Sequence, residues 1–191
     1  MSDRGVRQLT FGHETPADAI RALGPSAAES HDVDAREVPL ARRLQRYAEG
    51  NRDEFLDVKI DVTAGGAFGQ KILDRCRRIP HGATSTYGAL AAEAGSPQAA
   101  RAVGNAMARN RVPIIVPCHR VLGSGGSWGG YSMSPGLPLK KLLLRLEGAG
   151  EAHRHAGDKD FPVKRSKSRR TSGLGLNGPV CDNGASPKKP R

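Results

Sequence analysis

Cys118 and His119 stand side by side at the end of Val112-Pro113-Ile114-Ile115-Val116-Pro117, an apolar, β-branched run broken by prolines. A free thiol ionises near pH ~8.5, so only a small fraction is nucleophilic at neutral pH, and a working cysteine needs a base or a positive charge beside it. His119 is the candidate base. Pro117 fixes its own φ and drives Val116 into an extended conformation, which predicts a short, rigid strand leading into Cys118. Adjacent residues on an extended chain point to opposite sides, so the spacing does not assure direct Cys118–His119 contact and leaves a bridging water as the alternative. Such a pair reads as a reactive thiol on a rigid support; a buried structural cysteine is the alternative.

The elements that must hold this pair are mainly helical. Leu40, Leu44 and Tyr47 recur at helical spacing before Gly50-Asn51, and Phe55, Val58 and Ile60 follow in an extended pattern. Gly69 to Arg78 places Ile72, Leu73, Cys76 and Ile79 on one face, which makes Cys76 a core residue. Thr86 to Ala94 is predicted as a short helix ended by Gly95. Ser96 then reads as an N-cap with Pro97 at the first helical position, opening a helix to about Arg109. Helix, tight turn and helix form a helix-turn-helix layout. The second helix carries Ala99, Ala100, Ala102, Gly104, Ala106 and Ala108, a profile slim enough for its backbone to approach another surface closely, and Arg101 stands out on it.

The wording of these segments resembles the methylated-DNA–protein-cysteine methyltransferases, the O6-alkylguanine-DNA alkyltransferases. Pro117-Cys118-His119-Arg120-Val121 with Asn110 upstream is similar to that family's active-site signature. Ile79 to Tyr87, with Gly95 to Asn105, is similar to its helix-turn-helix. Gly130-Tyr131-Ser132 and Lys140 to Gly148 are similar to its pocket loop and closing helix. The likeness implies that Cys118 accepts the alkyl group, that His119 and Glu147 complete a cysteine–water–histidine–glutamate relay, and that Asn110 is the hinge beside them. It implies that Arg101 fills the space of a flipped base, that Tyr87 presses on the 3′ phosphate, and that Ala100, Gly104 and Arg120 belong to the DNA surface. Tyr131, Ser132 and Val121 become pocket residues. The implied fold is α/β (α+β), mainly helical, with a winged-helix-like DNA-binding domain around a short active-site strand. The implied partner is double-stranded DNA bearing O6-alkylguanine, with O4-alkylthymine a second candidate lesion; no cofactor is needed and the protein acts as a monomer. Four departures from the family pattern stand out: Arg111 where proline is usual, Ala83 where glutamate is common, a loop from Tyr131 to Lys140 about two residues longer, and a shortened N-terminal domain.

Composition agrees. The 191 residues, 37% hydrophobic, suffice for one domain with flanks, and no stretch is apolar enough to cross a bilayer. A net charge of +11 suits a polyanionic partner, since clustered Lys and Arg release counterions from a phosphate backbone. Three cysteines make a poor disulfide framework, no spacing suits a metal site, and the start of the chain lacks a secretory pattern. The expected location is a reducing one: cytoplasmic in a bacterium and nucleoid-associated on DNA, or nuclear in a eukaryote. The predicted organisation is a poorly ordered segment over 1–36, a remnant of an N-terminal domain over 37–66, the DNA-binding and active-site domain over 67–150, and a disordered basic tail over 151–191. That tail holds ten Lys or Arg against four Asp or Glu. Three other functions fit parts of the pattern. A non-catalytic lesion sensor conflicts with Cys118, a cysteine hydrolase leaves the helix-turn-helix and Arg101 unexplained, and a transcription factor would read sequence rather than damage.

Overall fold

A computed structural model describes residues 3–27, 38–63 and 65–149, so the predicted tail over 151–191 lies outside the described residues. Helix α1 spans Pro16–Leu23. Thr15 caps it by accepting from the Asp18 N–H, Pro16 starts it, and Gly24 closes it. This helix, and the path before it, correct the expectation of poor order over the first 36 residues for those described. Val6 is only 2% exposed. Its N–H donates to the Lys59 carbonyl and its carbonyl accepts from Asp61, forming a parallel bridge beside Ile60. One valine in a polar stretch carries no periodic signal, and its partner is more than fifty residues away.

Helix α2, Pro39–Ala48, has the expected register: Tyr47 is buried, and Leu40 and Leu44 pack half-buried against the core. After it, Phe55 is buried and Val58 and Ile60 lean on the same core, but the only ladder contact of this stretch is the one at Ile60. Helix α3, Ala67–Arg77, buries Ile72, Leu73 and Cys76 as its spacing predicts, with Ile79 just beyond. Burying such side chains contributes roughly 1.5–3 kcal/mol each, so this face anchors the domain.

Strand β1, Ser85–Thr86, leads into α4, Tyr87–Glu93, where the Thr86 hydroxyl accepts the Ala89 N–H as an N-cap. Helix α5, Ala100–Ala108, begins later than the sequence suggested. Ser96 does not cap it. Gly95, at φ +84°, donates to Ala92 and Ser96 donates to Ala91, the paired bonds of a Schellman closure. Ser96 therefore finishes α4, and a tight turn from its carbonyl to the Ala99 N–H intervenes before α5 starts. The helix-turn-helix stands, with α3 packed behind both of its members.

Strand β2, Val121–Leu122, pairs in parallel with β1 in the register Ser85↔Val121 and Thr86↔Leu122. Helix α6, Leu137–Leu146, closes the domain. Six α-helices and this small sheet make the described residues a mixed α/β fold, mainly helical, as predicted. The active-site strand is a correction, because regular pairing comes after Cys118 rather than before it. The run from Val112 folds into a buried turn in which the Val116 N–H donates to the Val112 carbonyl at 2.9 Å. Pro113 and Pro117 offer no N–H to a ladder, and Ile114 takes a φ of +72°, so the β-branched residues fill the core without forming a strand.

Candidate active site

Asn110 organises the turn that carries the thiol. Its side-chain oxygen accepts the Val112 N–H at 3.1 Å, and its amide donates to the Val116 carbonyl at 2.8 Å and to Cys118 Sγ at 3.1 Å. Both amide hydrogens are thus used, one for the backbone and one for the sulfur. Cys118 begins a 3-10 turn, Cys118–Arg120, and is 5% exposed. Burial pushes its pKa up; the Asn110 bond and the charge of Lys140 pull the other way without overcoming it. The resting group is a thiol, and it needs a base.

His119 is fully buried. Burial lowers its pKa, opposed by Glu147, so the resting ring is neutral at physiological pH. Its Nε2 lies 3.0 Å from Glu147 Oε1. A carboxylate only accepts, so the Nε2 nitrogen carries the proton and Nδ1 keeps the basic lone pair. Nδ1 is buried and has no hydrogen-bond partner among the described residues. No hydrogen bond joins Cys118 to His119 directly, in keeping with their adjacency.

Glu147 follows the last turn of α6 as its C-cap. Burial would raise its pKa, but bonds from His119 and Arg120 outweigh it and hold the carboxyl well below the usual range. Arg120 donates Nε to Oε2 at 2.9 Å and an η nitrogen to Oε1 at 2.7 Å, a two-pronged pair buried on both sides. Its other η nitrogen reaches Glu54 at 3.3 Å and the Ile79 carbonyl. Arg120 is 1% exposed, which corrects its assignment to the DNA surface: a guanidinium wired to two carboxylates inside the protein cannot reach phosphate. Its charge instead keeps Glu147 ionised where desolvation would protonate it.

A cavity of about 510 Å³ opens at the thiol. Cys118, Tyr131, Ser132 and Gly130 line it from one side, and Tyr87, Ala100, Arg101 and Gly104 line it from the helix-turn-helix. Seven predicted residues therefore meet around one space, with Arg101 exposed at its edge. The Tyr131 hydroxyl is buried beside Cys118, close enough for its hydrogen to favour the thiolate. Tyr87 is held against Gly129, where a Cβ would lie 2.9 Å from the phenol oxygen, so only glycine lets the loop pass so close. Val121 does not line this cavity. It is fully buried in β2 and turns its carbonyl to Lys140, which corrects its assignment to the pocket. Trp128 packs instead on Leu122, Leu144 and Ala149, with Lys141 over its ring.

Three participants escaped the sequence reading. The Tyr47 hydroxyl donates to Glu147 Oε1 at 2.5 Å, and Glu54 accepts both Arg120 and the His81 N–H. Lys140 is buried, and its Nζ donates to the Val121, Trp128 and Gly130 carbonyls, which tie β2 to the loop before Tyr131. Burial pushes its pKa down to about 8. A signal for Lys140 existed, since Lys140, Leu143, Leu144 and Glu147 share one helical stripe, and a cation on an apolar stripe that ends in a carboxylate points inward. Tyr47 and Glu54 had none. Among the described residues no cluster of His, Cys, Asp and Glu could hold a metal ion.

Residues 67–149 match the family described as 6-O-methylguanine DNA methyltransferase, DNA binding domain. A methylated-DNA–protein-cysteine methyltransferase of Methanosarcina acetivorans is 44% identical over 109 residues, covering 57% of this chain and 67% of that one. A crystal structure of a variant of the Mycobacterium tuberculosis O6-methylguanine methyltransferase superposes with a TM-score of 0.61 at 32% identity, over 81% of this chain and 86% of that one. The chain belongs to the methylated-DNA–protein-cysteine methyltransferase family. A further M. tuberculosis structure, in complex with DNA, matches with a TM-score of 0.53 at 39% identity, over 58% of this chain and 66% of that one. The chain spans between 61% and 67% of the length of the curated methyltransferases it matches. Tyr47 and Glu54 lie ahead of the matched domain yet complete its buried network. No described helix is long and apolar enough to cross a membrane.

Proposed function

We propose that this protein repairs DNA by moving the alkyl group of O6-alkylguanine onto Cys118, once per molecule. The observation that carries the reading is the pairing of a buried thiol with two different surroundings. On one side lies a cavity with room for a nucleobase, bordered by a slim helix and Arg101; on the other lies a His119–Glu147 pair whose Nδ1 keeps its basic lone pair. A base inside a duplex cannot reach a thiol this deep. It must flip, at a cost of a few kcal/mol in unstacking, which Arg101 offsets by occupying the vacated place. Ala100 and Gly104 let the α5 backbone approach the groove, and Tyr87 meets the phosphate beside the flipped nucleotide.

In the reaction the thiol proton passes, through a bridging water, to Nδ1 of His119, and Glu147 stabilises the imidazolium that results. Asn110 donates to the sulfur and supports its negative charge. The thiolate attacks the alkyl carbon in line with the O6 bond. A C–S bond forms, the C–O bond breaks with its electron pair left on guanine, a hydrogen bond from the Tyr131 hydroxyl or the loop beside it stabilises that charge, and guanine then takes a proton from water as the His119 imidazolium gives its own back to solvent. The thioether has no nearby group able to hydrolyse it, so the protein is consumed and no cofactor takes part.

Intact-mass measurement after incubation with a duplex holding one O6-methylguanine tests this. The expected result is one added methyl group per molecule, a plateau at one equivalent, and no gain in Cys118→Ala. Lesion-selective binding without any mass gain would overturn the transfer reading and leave a damage sensor; repeated turnover of an ester substrate would leave a hydrolase.

A further inference from the structure

The N-terminal stretch touches two segments that adjoin the cavity lining, the turn that carries the thiol and the loop that follows Ser132. After Val6 is fastened to Lys59 and Asp61, the Leu9 N–H donates to the Arg111 carbonyl at 2.8 Å. Arg111 directly follows Asn110, whose amide holds the thiol. Leu9 and Phe11 then lean on the core, and at Gly12 the chain turns with a φ of +79°. A Cβ built on Gly12 would lie 3.1 Å from the Ser134 carbonyl oxygen and 3.5 Å from Leu139 Cδ2. Ser134 sits behind the loop whose Tyr131 and Ser132 line the cavity. Lys140 grips the near end of that loop at Gly130, and α6 takes up its far end. Its middle is backed by the strap.

We propose that residues 7–13 act as a specificity strap, which sets the width of the cavity and so the size of alkyl group that Cys118 accepts. This rests on the transfer reading above. The strap references the thiol-bearing turn, through Arg111, and the pocket loop, through Ser134, to one segment of backbone, so a shift of a few tenths of an ångström at Gly12 moves one wall of the cavity relative to the nucleophile. In-line attack is sensitive to such displacement, and a bulkier alkyl group more so than methyl. Gly12 and Leu9 are positioning residues here; neither touches the reacting atoms.

The test compares Gly12→Val with Gly24→Val in the full chain. Both glycines have positive φ, but nothing lies within 4 Å of a Cβ at Gly24, so that variant reproduces the backbone strain without touching the loop. Single-turnover transfer is measured from duplexes carrying O6-methylguanine and O6-benzylguanine. Gly12→Val is expected to lower the benzyl-to-methyl rate ratio by about tenfold as its side chain presses the loop inward, while Gly24→Val keeps the wild-type ratio. Leu9→Pro, which lacks the N–H for Arg111, is expected to change the same ratio without added bulk at the loop, and carries the test should Gly12→Val fail to fold. Wild-type ratios in the folded strap variants, with methyl transfer intact, would overturn the strap. Absence of transfer from either duplex by the wild-type protein would instead sink the transfer reading.

Discussion

Cys76 and Cys118 are both buried and both free, and burial raises the pKa of each, yet they occupy opposite kinds of site. Cys76 faces inward from α3 beside Ile72 and Leu73, with no hydrogen bond to its sulfur among the described residues. Cys118 has an amide donor at 3.1 Å, a buried lysine whose charge favours its thiolate, and an open cavity. Burial alone makes a thiol inert. What separates the two is the polar support around Cys118, and all of that support is itself buried, where each donor and charge counts for more than it would in water.

Removing that support should show the difference, most of all at Glu147. Glu147→Gln leaves Arg120 buried with its main counter-charge gone; a loss of about 3–5 kcal/mol in stability is expected in urea unfolding, with transfer slowed about 10²-fold or more. The wild-type pH dependence follows the same pair. Glu147 has a depressed folded pKa, so its contribution is present above the unfolded value of about 4.5 and is lost as pH falls below it. His119 is also depressed, so the unfolded chain binds its proton first and stability begins to fall below about pH 6.5. Thermal melts from pH 7 to 4 should therefore fall steadily, and Glu147→Gln should flatten the lower part of that slope.

Asn110→Ala comes next. It strands the Val112 N–H, takes one of the two donors from the Val116 carbonyl, which keeps the Cys118 N–H, and takes the donor from the sulfur, so about 1–3 kcal/mol of stability and about tenfold or more in transfer rate are expected to go. Equal loss of stability with an unchanged rate would mean that the thiol does not need its amide. Cys76→Ala sharpens the contrast from the other side: about 1–2 kcal/mol less stable from the small cavity left behind, but still one alkyl group per molecule by mass. Tyr47→Phe is the mildest, about 1 kcal/mol, with a shift in the pH profile of transfer as Glu147 loses one donor and grips His119 harder.

How far these features could be read in advance depended on how local they are. The helical registers of α2 and α3, the core place of Cys76 and the layout of α4 and α5 follow from spacings of three and four residues, which the chain carries in any context. Ser96 misled because its type suits an N-cap, while the Gly95 beside it drew it into closing the previous helix. Arg120 misled for a related reason: an arginine next to a catalytic pair in a basic protein suggests DNA, and only the arrival of Glu147 from α6 and Glu54 from the N-terminal part shows that its charge is used inside. Val6 and Tyr47 gave no warning, because each acts through a single distant contact.

The amino-acid sequence by itself determined the chemistry available here: one thiol beside one imidazole, a hinge asparagine, a carboxylate at the end of an amphipathic helix, and a slim alanine-rich helix bearing one arginine. These are properties of residue type and short-range spacing, set by side-chain chemistry and the helical period. The tertiary structure alone decided which nitrogen of His119 stays basic, that Arg120 serves Glu147 rather than DNA, that Tyr47 joins the buried network, and that Gly12 lies against Ser134. Those depend on pairings such as Tyr47 with Glu147, 100 residues apart, and Leu9 with Arg111, where burial removes water as the competing partner and leaves each polar group only the neighbours that the fold supplies.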